Sequence, residues 1–195
     1  MDKIKFRKAV DYVSVNMEYN PKYYHNFKHV SSVVQRLGGP GCSAELKLAA
    51  LFHDVVYDDQ PDKELRSAQA AKTWLTANWP EVDANRVYEL IMATETHKIK
   101  NYLDDDEAIS LIKADLYTLT EPLLTISNFA KINMESQTLY GIDQYDAAAA
   151  SRTFMMTFKK TMLENYALTG DEFWFKAVQG CETTTMLAND VIRRK

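Results

Sequence analysis

The chain has 195 residues, 46% hydrophobic and 26% charged, a composition that suits a globular protein with a sizeable core and excludes a disordered one. Its 23 Lys and Arg against 27 Asp and Glu leave a net charge of −4, which argues against nucleic-acid binding driven by bulk positive charge. Two cysteines, Cys42 and Cys181, are too few for a disulfide framework or a thiolate zinc site, no apolar run approaches the ~20 residues that span a bilayer, and the opening MDKIKFRKAV has no apolar signal core, so a reduced, cytoplasmic setting without a membrane partner is expected.

Beta-branched alternation is almost absent, while apolar residues recur at helical spacing, so the chain reads as all-α with seven to nine helices. The first is expected over Lys3 to Met17, stopping before Pro21. The second runs from about Asn26 to Leu37, with Phe27, Val30, Val33, Val34 and Leu37 facing inward. Gly38, Gly39, Pro40 and Gly41 break the chain, and Ser43 can cap a third helix reaching about His53. Val55 to Lys63 reads as a loop. Helices then follow over about Glu64–Asn78, Ala84–His97 and Asp105–Leu119, and Pro122 suits the first turn of the next. The last third holds two or three more, one of them with a Phe154, Phe158, Met162, Tyr166 stripe. No linker or repeat separates these segments. The expectation is one domain over 1–195, with a C-terminal helical region from about residue 120.

Three helices place a titratable group where an apolar stripe should continue. The stripes are Leu46, Ala49, Ala50 and His53; Val87, Leu90, Ile91, Thr94 and then His97 or Lys98; and Ala108, Leu111, Ile112, Asp115 and Leu119. A buried charge without a partner is costly, so three such groups in one small helical protein are expected to converge. His29 sits beside Val30 and Val33, His25 lies four residues before it, and His53 is followed directly by Asp54 at a helix end. Imidazoles and carboxylates without a thiolate favour a six-coordinate divalent ion over structural zinc.

These residues fall in motifs that resemble the HD superfamily of metal-dependent phosphohydrolases. The resemblance rests on His29 in YYHNFKHV, His53-Asp54 in LFHDVVYDD and Asp115 in LIKADLYTL. It is closest to a small branch with Tyr-His-Asn-x-x-His (Tyr24 to His29) and His-Asp-x-x-Tyr-Asp (His53 to Asp58). That branch also has Asn-Glu-x-x-Ser-Ala (Lys63 to Ala68), Thr-x-x-His (Thr94 to His97) and Asp-Ala-Asp-Leu (Lys113 to Leu116). Lys63 and Lys113 depart from the pattern, standing where the branch has asparagine and aspartate. The resemblance covers about Tyr24 to Leu119.

The resemblance implies an HD-type helical bundle that hydrolyses a phosphate ester, on a nucleotide or related small metabolite. His29, His53, Asp54 and Asp115 would hold a divalent ion: Mn, Mg, Fe, Co, Ni or Zn. Asp54 or Glu64 would accept a proton, and His25, Lys28, Arg66 and His97 would contact the phosphorylated substrate, with Lys98 and Lys100 as further cationic candidates. Asp58 and Tyr57 either order the loop or touch substrate. A homo-oligomer is compatible with this reading. The alternatives are a nucleotide-binding or sensing module that has lost turnover, and a di-iron oxygenase, which would consume all four histidines.

Overall fold

The computed structural model describes residues 2–18, 23–39 and 41–195, so Pro21 and Pro40 lie outside the described residues. Among these residues there are nine α-helices and no strand, an all-α architecture. The helices are α1 (Lys3–Glu18), α2 (Phe27–Arg36), α3 (Ala44–Phe52), α4 (Lys63–Asn78), α5 (Ala84–Met92), α6 (Asp106–Leu116), α7 (Pro122–Tyr140), α8 (Gln144–Thr169) and α9 (Glu172–Ile192). The chain divides into two compact units, Met1–His97 with Tyr102–Asp115, and Lys98–Asn101 with Leu116–Lys195.

In the first unit α3 is the central element, packed on α1, α2, α4 and α5. Its sequence AELKLAALF is apolar almost all round, as a fully surrounded helix must be, and Leu48, Ala49, Ala50 and Phe52 are completely buried. The Phe52 ring lies 5.9 Å from Tyr12 of α1 and 5.7 Å from Trp74 of α4, which pins the C-terminal end of α3 from two sides. Polar caps fix where the surrounding helices begin. The Asn26 side chain accepts hydrogen bonds from the backbone N–H groups of Lys28 and His29, Ser43 accepts from Leu46, and Asp83 accepts from Asn85 and Arg86. Arg86 then forks onto both oxygens of Asp105, at 2.7 and 2.6 Å, and reaches Glu107 at 3.0 Å. Asp105 also accepts from Ala108 N–H, so one carboxylate caps α6 and ties it to α5.

Two boundaries differ from the periodic pattern. Helix α5 stops at Met92 rather than running to His97. Past Met92 the backbone bonds tighten to three-residue turns, Thr94 N–H to the Ile91 carbonyl and Glu95 N–H to the Met92 carbonyl; Thr94, buried on the expected stripe, also donates its hydroxyl to Ile91, and His97 adopts a left-handed backbone with φ 55°. Helix α6 ends at Leu116, and Tyr117–Thr120 tightens into a 3₁₀ turn.

The second unit contains α7, α8 and α9. Pro122 opens α7, Gly141 and Gly170 end α7 and α8 at positive φ, and Asp143 and Asp171 cap α8 and α9. Phe129, Ala148 and Ala188 form part of its core, with Leu187, Val191 and Ile192 packed against them. The expected α8 stripe is buried only in its middle: Phe158 and Met162 are inside, while Phe154 and Tyr166 at its two ends are exposed. Cys42 and Cys181 are both free thiols. Among the described residues no helix is long and apolar enough to cross a membrane.

Candidate metal centre

Local sequence delivers four polar side chains to one place in the first unit. Asn26 starts α2 three residues before His29, which turns His29 inward beside Val30. His53 is the C-terminal cap of α3, and Asp54 follows it as the chain leaves the helix. Asp115 is carried by the last turn of α6. His29, His53 and Asp54 are buried, and the Asp115 side chain is 14% exposed.

The distances are short and mutual. His29 Nε2 lies 3.2 Å from His53 Nε2, 3.1 Å from Asp115 Oδ1 and 3.4 Å from Asp54 Oδ2. His53 Nε2 lies 3.2 Å from Asp54 Oδ2 and 3.5 Å from Asp115 Oδ1. Ligands about 2.1 Å from a common ion sit about 3.0 Å apart at right angles and about 3.4 Å apart in a tetrahedron, and the spacings of His29, His53 and Asp115 are compatible with that range. His29, His53 and Asp115 form a mutually close trio that could hold a metal ion, while Asp54 lies outside that trio and meets it through the two imidazoles. His53 Nδ1 donates to the Ala50 carbonyl oxygen at 2.9 Å. In the neutral ring this leaves the Nε2 lone pair directed at the cluster, the tautomer a metal ligand needs.

The electrostatics agree with the geometry. Burial disfavours a charged His53 ring, but the Asp54 and Asp115 carboxylates outweigh burial and raise its pKa well above the ordinary histidine value. His29 is raised in the same way, against its own burial, by the hydrogen bonds it donates to Asp115 and Asp54. Burial opposes ionisation of Asp54 and Asp115, yet the His53 charge and the imidazole hydrogen bonds hold both well below the usual carboxylate range. The four groups are therefore tuned for cation binding, whether the cation is a proton or a metal ion.

No family model, curated protein or solved structure matches this chain.

Around the cluster the structure sorts the remaining candidates. His97 Nε2 lies 3.0 Å from Asp115 Oδ2, so His97 meets the cluster through the second oxygen of that carboxylate. The His25 ring stacks on Tyr57 at 3.8 Å, Lys63 Nζ sits 4.1 Å from the centroid of Tyr57, and Tyr24 lies 4.9 Å from His29. Lys63, which departs from the motif, thus helps build a cation–aromatic stack that includes His25. Arg66, expected to contact substrate, is engaged by the loop. Its guanidinium forks onto Asp58 at 2.9 and 2.5 Å and donates to the backbone oxygens of Pro61 and Gln60, using four of its five N–H groups. Lys28 is exposed on α2, and Glu64 is half-buried in the first turn of α4. Lys98 and Lys100 belong to the second unit.

Ser67, matched in the sequence to the Asn-Glu-x-x-Ser-Ala stretch without a role of its own, holds the loop after Asp54. Ser67 is fully buried, accepts from Val56 N–H at 3.1 Å and donates to the Val56 carbonyl at 3.3 Å. Beyond that motif match, its sequence signal is a small polar residue beside Ala68 on the inner face of α4. Two open concavities of about 680 and 360 Å³, lined by residues such as Lys72 and Tyr88 and by Arg36 and Glu107, contain none of the four cluster residues.

Proposed function

We propose that this protein is a metal-dependent phosphohydrolase acting on a phosphate ester, on a nucleotide or related small metabolite. The observation that carries the reading is the buried pair of imidazole nitrogens, 3.2 Å apart and each 3.1 to 3.5 Å from one oxygen of Asp54 and one of Asp115, with His53 Nδ1 bonded to the Ala50 carbonyl. The ordered HD-type motifs in the sequence support it. His29, His53, Asp54 and Asp115 would hold the ion. A divalent ion there supplies Lewis-acid charge, lowering the pKa of a water and offsetting charge on a phosphoryl oxygen.

The chain's own residues do the rest. Asp54 presents Oδ2 to both imidazoles and has a second oxygen to take a proton from the attacking water. Glu64, in the first turn of α4, is the alternative acceptor. The His25–Tyr57–Lys63 stack offers a cationic edge for phosphate, and the Ser67 clasp holds the segment after Asp54 in place. The Arg66 guanidinium braces the loop behind Tyr57.

The test is phosphate release from a panel of nucleotides and sugar phosphates, with Mn2+, Mg2+, Co2+ or Ni2+ added to metal-stripped protein. The expected result is release that requires metal and is lost in Asp54→Ala. Equal background release from both proteins on every substrate would overturn the assignment. Tight nucleotide binding without turnover under every metal would replace it with a binding module.

A further inference from the structure

We propose that His97 is a positioning residue whose task is to hold Asp115 in its ligand rotamer; the inference rests on the metal-centre reading above. Asp115 divides its two oxygens. Oδ1 lies 3.1 Å from His29 Nε2 and 3.5 Å from His53 Nε2, while Oδ2 lies 3.0 Å from His97 Nε2. An ionised carboxylate can only accept, so His97 Nε2–H is the donor. A hydrogen bond to the second oxygen fixes rotation about the Cβ–Cγ bond and leaves Oδ1 facing the cluster. Supporting bonds of this kind orient ligands in metal sites and are worth about 10- to 100-fold in metal affinity.

The backbone sets the choice of variants. His97 has φ 55°, in the left-handed region, where glycine and asparagine sit at least cost. The chain leaves α5 through tight turns, with Thr94 N–H on the Ile91 carbonyl and Glu95 N–H on the Met92 carbonyl, and His97 follows them in that conformation. The side chain is 16% exposed and meets the 14% exposed Asp115, so the bond is sheltered from competing water.

The experiment compares wild type with His97→Asn and His97→Gln, measuring Mn2+ and Co2+ affinity by chelator competition, the visible spectrum of the Co2+ form, and helical circular dichroism. Asparagine suits the left-handed backbone but is too short to reach Asp115. Glutamine is less suited to that backbone but can place its amide N–H near the histidine Nε2 position. The expected result is a 10- to 100-fold loss of affinity and a changed Co2+ spectrum in His97→Asn, with most of both restored in His97→Gln. A purely structural role predicts the reverse order. Wild-type affinity in a folded His97→Asn would overturn the inference while leaving the metal centre standing. So would two ions in wild type and one in both variants, which would make His97 a ligand. Failure of wild type to bind either ion would overturn the metal centre and the inference with it.

Discussion

His53 donates its Nδ1 hydrogen to the carbonyl oxygen of Ala50, 2.9 Å away in the same helix, and that bond determines what the rest of the ring can do. A C-terminal carbonyl of α3 that would otherwise need another partner is satisfied, the ring is fixed, and Nε2 faces His29, Asp54 and Asp115. Replacing His53, His29 or Asp115 by alanine should each remove more than the ~100-fold in Mn2+ affinity that loss of a supporting bond costs. The check is the same chelator competition on each variant. Affinity within a few-fold of wild type in any of the three would remove that residue from the ligand set.

The buried cluster also makes opposite pH predictions for the metal-free and metal-bound protein. His29 and His53 have folded pKa values raised above the unfolded value of about 6.5. Their contribution to metal-free stability is therefore fully present below about pH 6.5 and is lost as pH rises through the folded values. Metal binding must displace those protons, so the stabilisation by added Mn2+ should grow over the same rise in pH. Thermal melting with and without metal, from pH 6 to 9, checks both signs. Parallel curves would mean that protons and metal do not compete for these rings.

His53 and Asp115 were legible in the sequence because each interrupts an apolar stripe with a titratable group. Leu46, Ala49 and Ala50 lead an apolar stripe into His53, as Ala108, Leu111 and Ile112 lead one into Asp115. The caps Asn26, Ser43 and Asp83 are local features, and their short range makes them readable. What stayed hidden depends on contacts between residues apart in the chain or on a choice between equivalent local bonds. Thr94 fits the stripe of α5 equally well whether the helix continues or ends, and the i−3 backbone bonds of Thr94 and Glu95 show that it ends. Arg66 carries no mark that its guanidinium meets Asp58 and two loop carbonyls rather than a ligand.

That brace can be tested directly. The Arg66 and Asp58 side chains are about one-third exposed, so the fork is worth about 1 kcal/mol, the upper end for a surface pair. In a double-mutant cycle, Arg66→Ala and Asp58→Ala should each lower stability, and the double variant should lose little more than either single one. Any loss of turnover should follow the same pattern, because both changes loosen the one loop. A substrate contact by Arg66 would instead make Arg66→Ala far worse than Asp58→Ala. The Arg66 hydrogen bonds hold the Asp58 pKa down to about 2, below its unfolded value of about 3.9. The brace is thus intact above about pH 4 and is lost as pH falls towards 2, visible as faster backbone hydrogen exchange in residues 56–62.

The second unit offers a prediction with an unusual sign. Gly180 lies in the interior of α9, where replacing glycine with alanine normally gains about 1 kcal/mol through helix propensity. Here a Cβ would overlap the backbone carbonyl of Leu119, in the 3₁₀ turn Tyr117–Thr120 packed against α9. That neighbour is backbone rather than a flexible side chain, so relief requires the helix and the turn to move apart. Overpacking of this kind costs about 1–3 kcal/mol, and α9 also carries the fully buried Trp174, Ala177 and Cys181. Gly180→Ala should therefore lower the melting temperature, whereas Ala149→Gly, on the half-exposed part of α8, should lower it only by the ordinary propensity loss. A Gly180→Ala protein that melts above wild type would mean that α9 and the turn are not held as close as the Leu119 carbonyl contact requires.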